Sequence, residues 1–465
     1  VNYVIGSSLI KSPTRLKLGV GISFNLILLG YFKYAGFLVA SLNMVASTEY
    51  SAGNIILPLA ISFFTFQQIA YLVDCRQGKV KDVNILHYCL FVTFFPQLIA
   101  GPIVHHSDVI PQFGKKEPIR FRINDFWVGS SIFVIGLYKK VIFADGIAIY
   151  ADALFNNVAL NPSFFEAWAG TLAYSLQIYF DFSGYSDMAV GLARIFGIRL
   201  PINFYAPYKS MNIIEFWRRW HMTLSRFLRD YLYFPLGGNR LGLAKRYRNL
   251  MLVMLLGGLW HGAGWSFVLW GGLHGVYLVI NHIWLFIKSR LGQGHDAPTK
   301  IGARIAVLIT FLAVSVAWVP FRADSIESAW VIYRSLIGLN GVVAPTVAVS
   351  ILDYLGLSGV GQMGLTLVDE SVFVWLMILM IIIWMAPNTY QLMDRFDPAF
   401  DYGKIKSEID SKVSKSPTNY SFGAAAQKSG ALYWLAPFII WLAGISALVI
   451  FVRGADMPPF IYMFF

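Results

Sequence analysis

Long apolar runs alternate with short charged loops along nearly the whole chain, and the period of that alternation is the length of a membrane-crossing helix. Residues 18–40 form the first run. Lys11, Arg15 and Lys17 precede it, and the loop after it carries Glu49 and no Lys or Arg. The next run, 55–73, contains Pro58 and leads into Arg76, Lys79 and Lys81. Because cytoplasmic loops collect Lys and Arg, residues 1–17 and the 76–81 loop are expected inside and the intervening loop outside. A third run, 86–104, is interrupted by Pro96, Gly101 and Pro102 and is followed by another basic loop. A full crossing there would put that loop on the wrong side, so a re-entrant, broken helix lining a cavity is expected.

Further spans are expected at 126–144 and 164–182, separated by a loop at 145–163 that lacks Lys and Arg. Residues 184–199 read as a short amphipathic connector. Later spans are expected at 305–320, 373–386 and 432–452. The fold class is all-α, a polytopic membrane domain over 1–465 with broken helices around a central cavity. No run shows the alternating ten-residue segments of a membrane β-barrel.

Composition agrees: 57% of the 465 residues are hydrophobic and 13% charged, against about 25% charged in an ordinary soluble domain. Cys75 and Cys89 form no CxxC pair and suggest neither a disulfide framework nor a metal site. The net charge of +12 would point to nucleic acid in a soluble protein. Here basic cytoplasmic loops account for it, so no nucleic-acid partner is expected.

That charge is concentrated. Residues 194–248 hold eleven Lys or Arg against Glu215 and Asp230, and read as basic cytoplasmic interfacial helices. Within them Glu215 and Arg219, and Arg226 and Asp230, stand at i,i+4, while Trp217, Trp220, His221, Leu224 and Leu228 share the other face. An amphipathic helix lying on the membrane surface is expected. Arg218, Arg219, Arg226 and Arg229, with Trp217 beside them, suit the phosphates of a cytosolic ligand, and an anionic-lipid anchor is the competing reading.

Residues 249–287 then form an apolar hairpin. Eleven apolar or glycine residues, 250–260, cover roughly 17 Å as helix and put His261 near mid-membrane. An imidazole in such surroundings stays neutral and can accept a proton, which suits a general base; a structural, hydrogen-bonded histidine is the alternative. The same holds for His221, whereas His274 and His282 read as structural. Seven glycines between Gly257 and Gly275 permit either bends around His261 or close helix packing. No HExxH or comparable ligand spacing suggests a metal.

The runs QIYFDFSGYSDMAVGLARIFGIRLPINF, EFWRRWHMTLSRFLRDYLYFPLGGNR and LLGGLWHGAGWSFVLWGGLHG, with FFPQLIAGPIV, AWVPFRADSIESA and APNT, closely resemble the bacterial branch of the membrane-bound O-acyltransferase (MBOAT) family, in particular its alginate O-acetylation members. The resemblance implies that His261 matches the family's invariant histidine and His221 its second one. It implies transfer of acetyl groups from a cytosolic donor, acetyl-CoA, across the bacterial inner membrane to an exported polysaccharide such as alginate; cellulose and peptidoglycan acetylation systems share these motifs and teichoic acid D-alanyl transfer is a more distant relative, so the polymer stays open. The basic helix would hold the CoA phosphates, with no permanently bound cofactor. A periplasmic hydrolase-like acetyltransferase, polysaccharide export machinery and membrane lipids are the implied partners. Two further transmembrane segments are expected ahead of Val1. A non-catalytic transporter or channel is the competing class; it calls for repeat symmetry and charged residues inside membrane helices, and none is evident from the pattern.

Overall fold

The computed structural model describes residues 1–413, apart from 82–83, 100, 114–120, 293–298, 347–348 and 351–364, together with residues 444 and 446. Among the described residues the chain is helical, and an isolated bridge between Pro201 and Phe400 is its only β pairing. The expected span at 432–452 lies outside the described residues.

Helix α1 (Asn2–Lys11) leads to α2 (Arg15–Leu29), which passes through a wide turn, Gly30–Tyr34, into α3 (Ala35–Ala46). Helices α2 and α3 with that turn form one 32-residue rod, Arg15–Ala46. Helix α4 (Ile61–Arg76) begins only after Pro58, so residues 55–60 are not part of a span as expected. The broken helix at 86–104 is present: α5 (Ile85–Thr93) stops at an extended Phe94, α6 (Phe95–Leu98) lasts one turn with Pro96 inside it, and α7 (His106–Phe113) follows. The break frees the Phe91 carbonyl, which accepts from the side-chain amides of Gln67 at 2.8 Å and Gln97 at 2.9 Å. Buried backbone is thereby satisfied without water.

Helix α8 (Ile123–Tyr138) continues through a wide turn, Lys139–Ala144, into α9 (Asp145–Phe155). The expected loop at 145 is therefore helix. Lys140 and Asp145 stand five residues apart, the spacing of a wide turn, and pair at 2.7 Å, while Lys140 also pairs with Asp181 at 2.7 Å. Helix α10 (Phe164–Ile195) starts at a Ser163–Glu166 capping box and runs for 32 residues, straight through Gly184. The connector expected at 184–199 is helix as far as Ile195, because Asp187 is neutralised by Lys139 at 2.6 Å and needs no water. A Cβ at Gly136 would lie 2.5 Å from the Gly184 carbonyl, so α8 and α10 touch backbone to backbone. Charged residues thus do stand inside the helices, contrary to the reading set against a transporter, but these are paired.

Residues 196–212 are irregular apart from one short 3-10 turn, Pro207–Lys209. The basic segment is not one amphipathic helix: α11 (Ile213–Trp217) and α12 (Met222–Leu228) are separated by His221 in a left-handed conformation. Nor does its apolar face lie open to lipid, since Phe216, Trp220, Leu224 and Phe227 are buried in the main core. Helices α13 (Leu243–His261) and α14 (Trp265–Arg290) form the hairpin. Then come α15 (Lys300–Arg322), α16 (Ile326–Leu336), α17 (Val372–Met385), α18 (Thr389–Leu392) and α19 (Tyr402–Val413).

Helix α10 is the hub, packed by α8, α9, α15, α16 and α17. Three described helices are long and apolar enough to cross a membrane: the α2–α3 rod, α14 and α15. Their outward faces carry exposed Ile27, Leu38, Ile280, Trp284, Leu285 and Ile309, the surface expected where lipid rather than water is the solvent.

Candidate active site

Helix α13 ends on His261 because Gly262 turns extended (φ −158°, ψ 146°). The end of a helix leaves carbonyls without partners and carries a partial negative charge. Here the wide turn of the α2–α3 rod supplies both answers. Tyr34 donates to the Leu259 carbonyl at 2.8 Å, and the Lys33 ammonium donates to the carbonyls of Trp260 at 2.5 Å and His261 at 3.4 Å and to the Ser62 hydroxyl at 2.9 Å. Gly258 and Gly271 set the other side of His261. A Cβ on Gly258 would lie 2.2 Å from the Phe267 carbonyl, and one on Gly271 would lie 2.3 Å from the Met254 carbonyl. Close packing, rather than bending, is what these glycines permit.

His221 enters from the opposite side. Its backbone occupies the left-handed region (φ 43°, ψ 53°), which turns the chain sharply between α11 and α12. The ring stands edge-on to Phe182 at 4.7 Å and 6.3 Å from the ring of His261. His261 is further enclosed by Trp260 at 4.9 Å, Trp270 at 5.1 Å and Phe321 at 5.3 Å. Both histidines are buried, at 0% and 2% exposure, so two residues 40 positions apart share one interior site. His221 therefore lies in the protein core and not at the interface expected for it.

A cleft of about 1000 Å³ is lined by neither histidine of this pair but by Met222 and Thr223, which follow His221 in the chain, and among others by Trp217, Arg218, Arg246, Met254, His282 and Lys404. Trp217 packs against Trp270 at 5.9 Å and against His274 at 5.1 Å. Because Trp270 in turn meets His261, aromatic contacts lead from the cleft to the histidine pair. His274 is fully buried, and neither of its ring nitrogens finds a hydrogen-bond partner among the described residues.

The basic residues divide. Arg218 is exposed and faces the cleft. Arg219 also borders the cleft but is mostly buried, with its guanidinium held by Glu215 at 2.6 Å and the Tyr205 carbonyl at 3.5 Å. Arg226 makes a two-pronged pair with Asp108 at 2.9 and 3.0 Å, and Arg229 one with Asp230 at 2.7 and 3.2 Å. Arg246, not singled out from the sequence, donates to the His282 ring at 2.8 Å in the cleft wall. Lys33 was also passed over, although a lysine inside a spanning-length apolar run is a functional signal in its own right. Nothing in the pattern around Asn203 set it apart.

A model of the membrane-bound O-acyltransferase family matches residues 75–317, more than half of the chain. The chain is 47% identical over 353 residues to the peptidoglycan O-acetyltransferase of Helicobacter pylori, covering 70% of this chain and 66% of that protein. It is 42% identical over 345 residues to the probable alginate O-acetylase AlgI of Pseudomonas aeruginosa, covering 72% and 64%. A teichoic acid D-alanyltransferase of Bacillus subtilis is 33% identical over 240 residues, 48% of this chain and 59% of that one. The chain spans about two thirds of the length of the two O-acetylating relatives.

Proposed function

Because the chain belongs to the membrane-bound O-acyltransferase family, we propose that it is a membrane O-acetyltransferase moving acetyl groups from cytosolic acetyl-CoA to a hydroxyl acceptor serving O-acetylation of an exported polysaccharide such as alginate. The observation that carries this reading is the pair His221–His261, 6.3 Å apart in the interior and joined by packed aromatic rings to the wall of a cleft rich in arginine. Arg218, with Arg246 and Lys404 in the same wall, offers donors for the phosphates of the CoA moiety, and Trp217 offers a face for its base or its arm.

In the transfer step His261 accepts the proton of the attacking hydroxyl as the new C–O bond forms at the acetyl carbonyl. The C–S bond of the thioester then breaks, and the proton passes from the imidazole to the departing thiolate. An interior site favours this sequence because water, the competing acceptor, is kept away. The acetyl group then goes to a periplasmic hydrolase-like partner that decorates the polymer, which places the protein in the bacterial inner membrane beside the export machinery. The relatives are named for peptidoglycan and for alginate, and both acceptors are carbohydrate hydroxyls outside the cytosol.

Purified protein in lipid vesicles, supplied with acetyl-CoA labelled in the acetyl group, the periplasmic hydrolase-like partner and a polysaccharide acceptor, tests the reading. Labelled ester on the acceptor together with free CoA is the expected outcome. Transmembrane movement of an acylated precursor with no CoA release would instead identify a transporter.

A further inference from the structure

The turn that carries His221 is tied to the segment 203–205. Met222 donates its main-chain N–H to the Asn203 carbonyl at 2.9 Å, and Tyr205 donates to the Arg219 carbonyl at 2.9 Å. Asn203 itself is fully buried, and its surroundings leave its side-chain amide one orientation. The main-chain N–H of Thr223, which can only donate, faces one atom of that amide at 3.3 Å. The Thr223 hydroxyl already accepts from the main-chain N–H of Ile103 at 3.0 Å, so it turns its own proton to the same atom, 2.9 Å away. That atom is therefore the oxygen, Oδ1, while Nδ2 donates to the Ser186 hydroxyl at 3.2 Å. Nδ1 of His221 lies 3.1 Å from the same Oδ1. An amide oxygen has no proton to give, so the imidazole is the donor: Nδ1 bears the ring hydrogen and Nε2 bears the lone pair.

We propose that Asn203 is a positioning residue for the transfer reaction, holding His221 in the Nδ1–H tautomer so that Nε2 is the ring's proton-accepting atom. A histidine that works on protons needs its lone pair on one defined nitrogen, and which nitrogen carries it is set by the bond the other makes. Asn203 does this through an oxygen that can only accept, so the ring proton must sit on the nitrogen facing it. The same residue braces the left-handed turn through its main-chain carbonyl, so ring placement and tautomer are set together.

The role in turnover rests on the acetyl-transfer reading, whereas the tautomer does not, and the experiment separates the two. Protein labelled with ¹⁵N-histidine and reconstituted in phosphatidylethanolamine–phosphatidylglycerol vesicles is compared by solid-state NMR with the His221→Gln variant. The difference isolates the two nitrogens of His221, which couplings to the ring carbons tell apart. A protonated Nδ1 with a bare Nε2 is expected. A bare Nδ1, or protons on both nitrogens, overturns the assignment whether or not the protein transfers acetyl groups. In turnover, Asn203→Leu removes the acceptor at similar volume and should lower kcat on the order of 10²-fold with the KM for acetyl-CoA unchanged. Asn203→Asp keeps an oxygen for all three donors and should restore most of that loss. Equal kcat in both variants at equal yield, whether at the wild-type value or equally reduced, overturns the positioning role. If the Leu variant fails to accumulate, the wild-type spectrum and the Asp variant's kcat carry the decision.

Discussion

Arg218 and Arg219 are chain neighbours with different environments, and the difference predicts different phenotypes. Arg218 is exposed at the cleft, so Arg218→Ala should raise the KM for acetyl-CoA and leave kcat nearly unchanged, the signature of lost uniform binding. An unchanged KM at normal abundance would remove Arg218 from the donor site. Arg219 is paired with Glu215 inside the fold. Breaking such a pair from one side typically costs about 3–5 kcal/mol, so Arg219→Ala should lower the yield of folded protein. Normal yield with a raised KM would return Arg219 to the donor site. Sequence reasoning put both arginines on the ligand because helical spacing shows which residues share a face. It does not show that the i,i+4 pair with Glu215 would leave Arg219 buried while Arg218 stays exposed. His261 is legible as an imidazole in an apolar run, and His221, in a basic segment, from its place on the apolar face of an amphipathic helix and from the family resemblance. Their meeting is not, since it depends on a left-handed turn at His221.

At the scale of elements, Lys33 and Tyr34 hold the end of α13 on which His261 sits. Lys33→Met keeps the length of the side chain but removes the donors for three oxygens. It should therefore reduce acetyl transfer more than Tyr34→Phe, which removes one. Parallel turnover assays at matched protein amounts check this, and equal activity in the Lys33 variant and the wild type would show that the cap is dispensable. The α13–α14 crossing gives a second test. Gly258→Leu would drive a side chain into the Phe267 carbonyl, and its yield after detergent extraction should fall well below that of Gly272→Leu, where only a Leu255 methyl lies near.

Helix α13 runs unbroken from Leu243 to His261, so residues 250–260 are helix throughout, about 17 Å in length. Other helices extend past their expected ends, at 145 and 184. Lys140 with Asp145 and Asp181, and Lys139 with Asp187, look like loop markers one at a time. They cease to be so once paired between helices, and pairing partners 41 and 48 residues apart leave no local pattern.

For the whole molecule the expected topology puts the 76–81, 194–248 and 288–304 stretches on the cytosolic side. Cysteine labelling checks it. Cys75 is buried but Cys89 is exposed, so Cys89→Ala comes first and Ser289→Cys is then introduced. Labelling of Ser289→Cys by an impermeant thiol reagent only after the membrane is opened is the expected outcome. Labelling in intact cells would reverse the orientation of α14 and with it the face from which the cleft is reached.

The central claim is that His261 is the base of the transfer reaction, and His261→Gln addresses it most directly. Glutamine can still donate and accept hydrogen bonds but cannot take up a proton at this step. Transfer from labelled acetyl-CoA and the detergent-extracted yield are measured on the same preparation. The account predicts wild-type yield with turnover reduced on the order of 10²–10⁴-fold. Near-normal turnover at wild-type yield would contradict it and leave His261 a structural residue.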